Sequence, residues 1–289
     1  MEARFIVNYG CNYDCWFCHH EGWKDEERKN AGYMDFAKAV NLLKILYDLG
    51  YRRVTFSGGE PTLHPFLNDL VREAHTLGFH ITVVTNGSML QRITTYEYID
   101  TLNISIHTFD NEEYKLNTHN KFEIHTIIEN INQLQNDYPL LDLRVNTVIN
   151  TYLKDHLIEV LNSIKKVKRI KLIEVFPLIN PELSIESVEK LINDIGLERI
   201  KQDTNRRKVL YNYDESEIML TRVFCAQVNH NHLGIDFCRE KNEISISPDF
   251  YVKKCRSQEG IKIDLSNEQK AREVISNTFN LLGVQCQYD

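Results

Sequence analysis

Cys11, Cys15 and Cys18 lie within one turn-rich stretch near the start of the chain, Cys11-Asn12-Tyr13-Asp14-Cys15-Trp16-Phe17-Cys18. Three thiolates are one short of closing an iron-sulfur cube, so a compact triplet leaves one metal position open to a substrate or cofactor. Zinc is the alternative reading, but a structural zinc site takes four protein ligands, and neighbouring His19 and His20 are not spaced as a partner pair. Farther along stands Ser57-Gly58-Gly59-Glu60-Pro61. Glycines allow a backbone to approach a ligand closely, and Glu60 offers an anionic acceptor to an ammonium group.

This spacing resembles the signature of the radical S-adenosylmethionine (SAM) superfamily, and the likeness runs from about Phe5 to Leu178 in matching motif order. The resemblance implies a four-iron four-sulfur cluster on Cys11, Cys15 and Cys18 that binds SAM at its open iron. Gly58, Gly59 and Glu60 are similar to the motif that holds the methionyl amine. Phe17 occupies the place where members pack an aromatic ring on adenine, and Asn86, Ser105 and Asn146 stand where ribose or carboxylate contacts are expected. A reduced cluster would then cleave SAM to a 5′-deoxyadenosyl radical, fed by a flavodoxin- or ferredoxin-type electron donor.

The elements that must position these residues follow from periodicity. Apolar runs of strand length alternate with amphipathic segments of helix length over the first 178 residues, the pattern of repeated βα units. Strands are expected at Arg4–Asn8, Arg53–Phe56, His80–Thr85, Thr101–Ile106, Leu143–Ile149 and Ile170–Phe176. Helices are expected at Asp35–Leu49, Pro65–Leu77, around Tyr96–Tyr98, Lys121–Asn136 and Lys154–Val167. The fold class is α/β, a partial (βα)6 TIM-like barrel with its ligand residues at the C-terminal strand ends, followed by a small C-terminal α+β unit. The division is expected at 1–180 and 181–289. In the second part we expect a helix Ile185–Ile195, a polar segment near Lys201–Lys208, a hairpin of Glu243–Ser247 and Tyr251–Lys254, and a closing helix Leu265–Leu282.

Seven cysteines fall in two groups, and the second comprises Cys225, Cys238, Cys255 and Cys286. The Cys238 to Cys255 hairpin resembles the twitch domain, a shortened relative of SPASM domains, which implies an auxiliary iron-sulfur cluster with Cys225 and Cys286 as further ligands. Alternatively, Cys225 is a catalytic hydrogen donor that quenches a substrate radical. Cys18-His19-His20-Glu21-Gly22 and Ile173-Glu174-Val175-Phe176-Pro177-Leu178 are similar to segments of the GTP 3′,8-cyclase branch. Lys241 stands where that branch has a cysteine, and Glu243 and Ser245 stand where it has the arginines that grip GTP. An acid and a hydroxyl would not bind a triphosphate, so the ancestry is kept and that activity is not.

The net charge of -7, with no basic cluster, gives no footprint for nucleic acid or anionic lipid. No signal peptide and no run of eighteen apolar residues is found, so a cytoplasmic protein with no membrane partner is expected. The expected function is hydrogen abstraction from a small-molecule substrate, a sugar, aminocyclitol or nucleoside, in oxidation, epimerisation or cyclisation. Two alternatives are maturation of a ribosomally made peptide substrate and a non-catalytic iron-sulfur or zinc module.

Overall fold

Alternation along each strand decides which face of the sheet becomes core. In Asp142–Val148, Leu143, Val145 and Thr147 are buried while Arg144 and Asn146 between them are half-buried. One face therefore joins the hydrophobic core and receives the helices, and the other carries polar groups. The computed structural model describes residues 1–18, 20–23, 32–119, 122–164, 167–174, 180–202, 208–221, 242–254 and 259–278.

In chain order the elements are β1 (Glu2–Ile6), α1 (Phe36–Asp48), β2 (Arg53–Ser57), α2 (Leu67–Thr76), β3 (His80–Thr85) and β4 (Thr101–Ser105). Next come α3 (Asn111–Thr118), α4 (Ile124–Asp137), β5 (Asp142–Val148), α5 (Thr151–Asp155), α6 (Leu157–Ser163) and β6 (Arg169–Ile173). The remainder is α7 (Ile185–Asp194), β7 (Arg199–Gln202), β8 (Lys208–Tyr213), β9 (Ser216–Thr221), β10 (Glu243–Ile246), β11 (Tyr251–Lys253), β12 (Ile261–Lys262) and α8 (Glu268–Thr278).

The twelve strands among the described residues belong to one sheet, ordered β12-β11-β10-β1-β2-β3-β4-β5-β6-β9-β8-β7. Strands β1 to β6 are parallel neighbours in chain order, the arrangement of six βα units. The two edges, β12 and β7, do not pair, so the barrel is partial and open. Both late strand groups extend the same sheet: β10 adds parallel to β1, and β9 adds parallel to β6. On the polar face, register places Ser105, Asn146, Lys171 and Met219 in one row, with Asn103, Arg144, Arg169 and Glu217 in the row beneath.

Several expectations shift. The Tyr96–Tyr98 region is a single 3-10 turn. The expected Lys154–Val167 helix is two shorter helices meeting at His156, whose backbone leaves helical geometry (φ -122°, ψ 26°). Helix α3 was not expected, because its apolar content is low; it forms on a local cap, with the Asp110 carboxylate accepting from Glu113 N at 2.9 Å. The polar stretch around Lys201–Lys208 contributes to β7 and β8, whose partner β9 supplies the burial its own sequence lacks.

Candidate functional site

The cysteine loop leaves the C-terminal end of β1. Cys11 and Cys18 are exposed and Cys15 is partly covered, and none is in a disulfide. Cys18 N donates to Cys15 O at 3.0 Å, which folds the second half of the loop into a turn. Tyr13 N donates to Cys11 Sγ at 3.3 Å and His20 N to Cys18 Sγ at 3.4 Å. Surrounding protein desolvates the thiols: burial pushes Cys11 up to about 11 and, reinforced by Cys11 and Cys18, pushes Cys15 up to about 12.

The Gly58-Gly59-Glu60 turn at the end of β2 locks onto the stem of this loop. Gly59 N donates to Asn8 O and Glu60 N to Gly10 O, both at 2.9 Å. Asn8 Nδ2 spans the same gap, donating to Gly10 O at 2.7 Å and Glu60 O at 3.1 Å. A Cβ on Gly58 would meet Asn8 O at 2.4 Å. The glycines therefore admit the backbone of the cysteine-loop stem, whereas the sequence suggested the approach of a ligand.

Glu60 is fully buried and caps the turn after it. Its Oε1 accepts from Thr62 N at 3.1 Å, Thr62 Oγ1 at 2.7 Å and Thr85 Oγ1 at 2.7 Å, while Oε2 accepts from Asn86 N at 2.7 Å. Burial pushes its carboxyl above the usual range, although these four donors pull the other way. Oε2, with one donor, retains capacity for another. Asn86 carries the tie onward: its Nδ2 lies 3.8 Å from Cys11 Sγ and 2.9 Å from Asn12 Oδ1, and its Oδ1 accepts from Ser88 Oγ at 2.6 Å.

Phe17, between Cys15 and Cys18, meets the His107 ring edge to face with centroids 4.6 Å apart. Ser105 and Asn146 are in register on the polar face, and neither side chain has a hydrogen-bond partner among the described residues. The candidate residues thus form two groups: Cys11, Asn86 and Glu60 are joined by hydrogen bonds, and Ser105 and Asn146 stand beside them on β4 and β5.

The Radical SAM superfamily family description matches residues 5–195. The chain belongs to the radical SAM superfamily. Among curated relatives, "Probable GTP 3',8-cyclase" of Saccharolobus islandicus (strain M.14.25 / Kamchatka #1) is 27% identical, the match covering 98% of this chain and 91% of that one. "S-adenosylmethionine-dependent nucleotide dehydratase" of Flammeovirga pacifica is 30% identical over 61% of this chain and 63% of that one. Among solved structures, Streptococcus suis SuiB bound to precursor peptide SuiA superposes with a TM-score of 0.68 at 14% identity over 98% of this chain. The chain spans 66% of the length of that SuiB chain, and the likeness is one of fold.

Radical SAM enzymes use a 4Fe-4S cluster and SAM, and the residues present fit both. Among the described residues no three His, Cys, Asp or Glu side chains are arranged around a single ion; a cube takes each thiolate at a different iron. The side chains of Ser105 and Asn146 leave polar atoms unpartnered among the described residues. Two cavities among the described residues, of about 340 and 780 Å³, lie elsewhere, the first beside Glu189 and Arg199, the second beside His156 and Leu191.

Three features of this region become visible only in the fold. Helix α3 clamps the cysteine loop: Asp14 N donates to Thr118 O at 2.9 Å, Trp16 Nε1 donates to Asn117 Oδ1 at 3.0 Å, and the hydroxyls of Tyr13 and Tyr114 are hydrogen-bonded. Thr62 and Thr85 hold Glu60, and no spacing rule marks them. His107 had a signal, since it continues the alternation of Asn103 and Ser105 past the end of β4. Cys225, Cys238, Cys255 and Cys286, with Val175–Leu178, lie outside the described residues. No helix among the described residues is long and apolar enough to cross a membrane.

Proposed function

We propose that Cys11, Cys15 and Cys18 hold the catalytic cluster, that Glu60, Asn86, Ser105 and Asn146 orient SAM, and that a small polar substrate lies over the polar face of the sheet. When bound, the cluster and SAM supply reductive cleavage to methionine and a 5′-deoxyadenosyl radical that abstracts hydrogen. The chain's part is to fix the loop, to present acceptors and donors at the strand ends, and to exclude water from the mouth.

One observation carries the substrate class. The polar face holds Ser105 and Asn146, whose side chains have no hydrogen-bond partner among the described residues, in the row above Asn103 and two ion-paired arginines, Arg144 with Asp142 and Arg169 with Glu217. Hydroxyl and amide groups side by side suit the hydroxyls and ring heteroatoms of a nucleoside or sugar better than an unadorned peptide. Two curated relatives are named for acting on nucleotides, which agrees. GTP cyclisation is disfavoured at the residues that differ: Glu243 accepts from Arg4 Nε at 3.4 Å, and Ser245 accepts from Trp23 Nε1 at 3.4 Å, so both serve the sheet and the segment after the cysteine loop. We retain the division at 1–180 and 181–289 as functional, the second part contributing an auxiliary cluster through Cys238, Cys255, Cys225 and Cys286, unless Cys225 acts as hydrogen donor.

The test is anaerobic reconstitution with dithionite and SAM, then a panel of nucleosides, nucleotides, sugars and short peptides. Intact clusters without any 5′-deoxyadenosine would sink the SAM assignment. Stimulation of 5′-deoxyadenosine release by a nucleoside or nucleotide supports the substrate class; stimulation by a peptide alone selects the maturase reading. Iron and sulfide remaining in a C11A/C15A/C18A variant would report the auxiliary cluster, and iron near zero would remove it.

A further inference from the structure

His20 and Glu21 lie just past the third cysteine with left-handed backbones, φ 49° and 55°. Two successive residues other than glycine hold that conformation only where their surroundings enforce it. The enforcement comes from both sides. Glu21 Oε1 accepts from Ser57 Oγ at 2.6 Å, at the end of β2, and its Oε2 lies 3.9 Å from Arg4 Nη1 on β1. Trp23 N donates to His20 O at 3.1 Å, and the Trp23 ring is buried. Its Nε1 donates to Ser245 Oγ at 3.4 Å, Lys253 Nζ stands 3.8 Å from a ring centroid of Trp23, and a Cβ on Gly260 would meet the ring at 2.9 Å. Strands β10 and β11, from the second part of the chain, therefore brace the turn that follows the cysteine loop.

The bend so held turns one residue twice onto one sulfur. His20 N donates to Cys18 Sγ at 3.4 Å, and His20 Nδ1 lies 3.6 Å from the same atom. A thiolate bound to iron has no hydrogen to give, so the ring contact to it is a hydrogen bond only with Nδ1 as donor. Donors aimed at a ligand sulfur favour the state that carries more negative charge, and one-electron reduction of a cluster adds one such charge.

We infer that His20 is a positioning residue of the catalytic cluster: its ring Nδ1–H, beside its backbone N–H, donates to the Cys18 thiolate and raises the potential at which the cluster accepts its electron. This rests on the cluster assignment proposed above and adds to it a residue that sets how readily the cluster is reduced. The electron comes from the external donor, dithionite in the test, and no proton is transferred. The consequence is a cluster that a milder reductant can load.

The test is a redox titration of the reconstituted full chain at one fixed pH, followed by the electron paramagnetic resonance signal of the reduced cluster. The catalytic cluster is the part of that signal missing from C11A/C15A/C18A. Wild type, H20G and H20N are compared, because glycine and asparagine both accept a left-handed backbone. H20G keeps the backbone N–H and removes the ring; H20N returns an amide donor close to the place of Nδ1. At the wild-type midpoint, the ratio of reduced to oxidised cluster should fall about fivefold in H20G, a shift of about 40 mV downward for a one-electron couple. H20N should recover most of it.

A midpoint in H20G equal to or above that of the wild type, at equal iron content, would overturn the inference. A midpoint in H20N as low as in H20G would do the same, since the donor would then not be what matters. If H20G takes up no iron, H20A replaces it with the same expected shift, and an unchanged midpoint there overturns the inference equally. Loss of iron from both would make His20 a support of the loop and end the tuning role. A full wild-type signal in C11A/C15A/C18A would refute the cluster assignment itself, a result distinct from any difference among the His20 variants.

Discussion

Gly59 presses so closely on Gly10 that a Cβ at position 59 would fall 2.3 Å from the Gly10 carbonyl oxygen, and 2.5 Å from that of Tyr9. Both of those neighbours are backbone, so no side-chain rotation relieves the clash. The turn after β2 and the root of the cysteine loop are one packed unit. Gly59→Ala is expected to push them apart, breaking the bonds from Gly59 N to Asn8 O and from Glu60 N to Gly10 O. Iron bound per chain after reconstitution should fall by about half or more, with a stability loss of about 1–3 kcal/mol. Full iron content in G59A would contradict the claim that this contact sets the loop.

Glu60→Gln tests the next shell of the same unit. The amide oxygen can replace Oε1 toward Thr62 and Thr85, but the amide nitrogen would then meet Asn86 N–H, donor against donor. A buried N–H left without an acceptor costs about 1–3 kcal/mol. Urea unfolding should show that loss, and Asn86 should release Asn12 and Cys11, so SAM should bind more weakly even where iron is retained. Unchanged stability and unchanged SAM affinity would show that Glu60 does neither.

Much of this was legible in the sequence because close-range spacing and strand alternation encode it. Six parallel strands were expected, and β3 begins and ends where its apolar run does. The hairpin around Pro248 and Asp249 was likewise foreseen through its turn residues. What was not legible depends on partners distant in sequence. Helix α3 has little apolar character and is fixed by contacts with Tyr13, Asp14 and Trp16, about a hundred residues earlier. Strand β8 reads as polar because Val209 and Tyr211 alone are buried, and β9 supplies the rest. Spacing identified Glu60 but could not show that Thr62 and Thr85 absorb most of its acceptor capacity.

The α3 clamp makes a separable prediction. Trp16 is exposed, and its indole nitrogen bonds to Asn117, while Tyr13 and Tyr114 meet edge to face with centroids 5.8 Å apart. Tyr114→Phe removes the hydroxyl pair and keeps the ring contact, so it should cost about 1 kcal/mol and leave iron content intact. N117A combined with Y114A should instead free the loop and slow cluster assembly, followed as the rise of iron-sulfur absorbance. Equal assembly rates in the double variant and the wild type would mean that α3 only covers the loop.

The pH dependence of stability follows from two desolvated imidazoles, His64 buried and His107 half-buried. His64 is 3% exposed; its Nδ1 accepts from Phe66 N at 3.1 Å and its Nε2 bonds to Met34 O at 2.9 Å, and burial holds its pKa below the ordinary value. His107 is drawn down to about 4 by the same cause. Both pKa values are lower folded than unfolded. On acidification the unfolded chain takes up these protons near the ordinary histidine value of about 6.5, and the folded chain does not. The unfolded state therefore binds more protons in this window, so stability rises with pH there and is lost as pH falls. The contribution is fully present above about pH 7. For His107 the loss between about pH 6.5 and about pH 5 reaches up to about 2 kcal/mol. Carboxylates also titrate at the lower end, so the comparison is between the wild type and H107Q, and between the wild type and H64Q, at each pH. Urea midpoints of each variant should depend less steeply on pH than those of the wild type. Identical slopes would show that neither ring is held neutral by its surroundings.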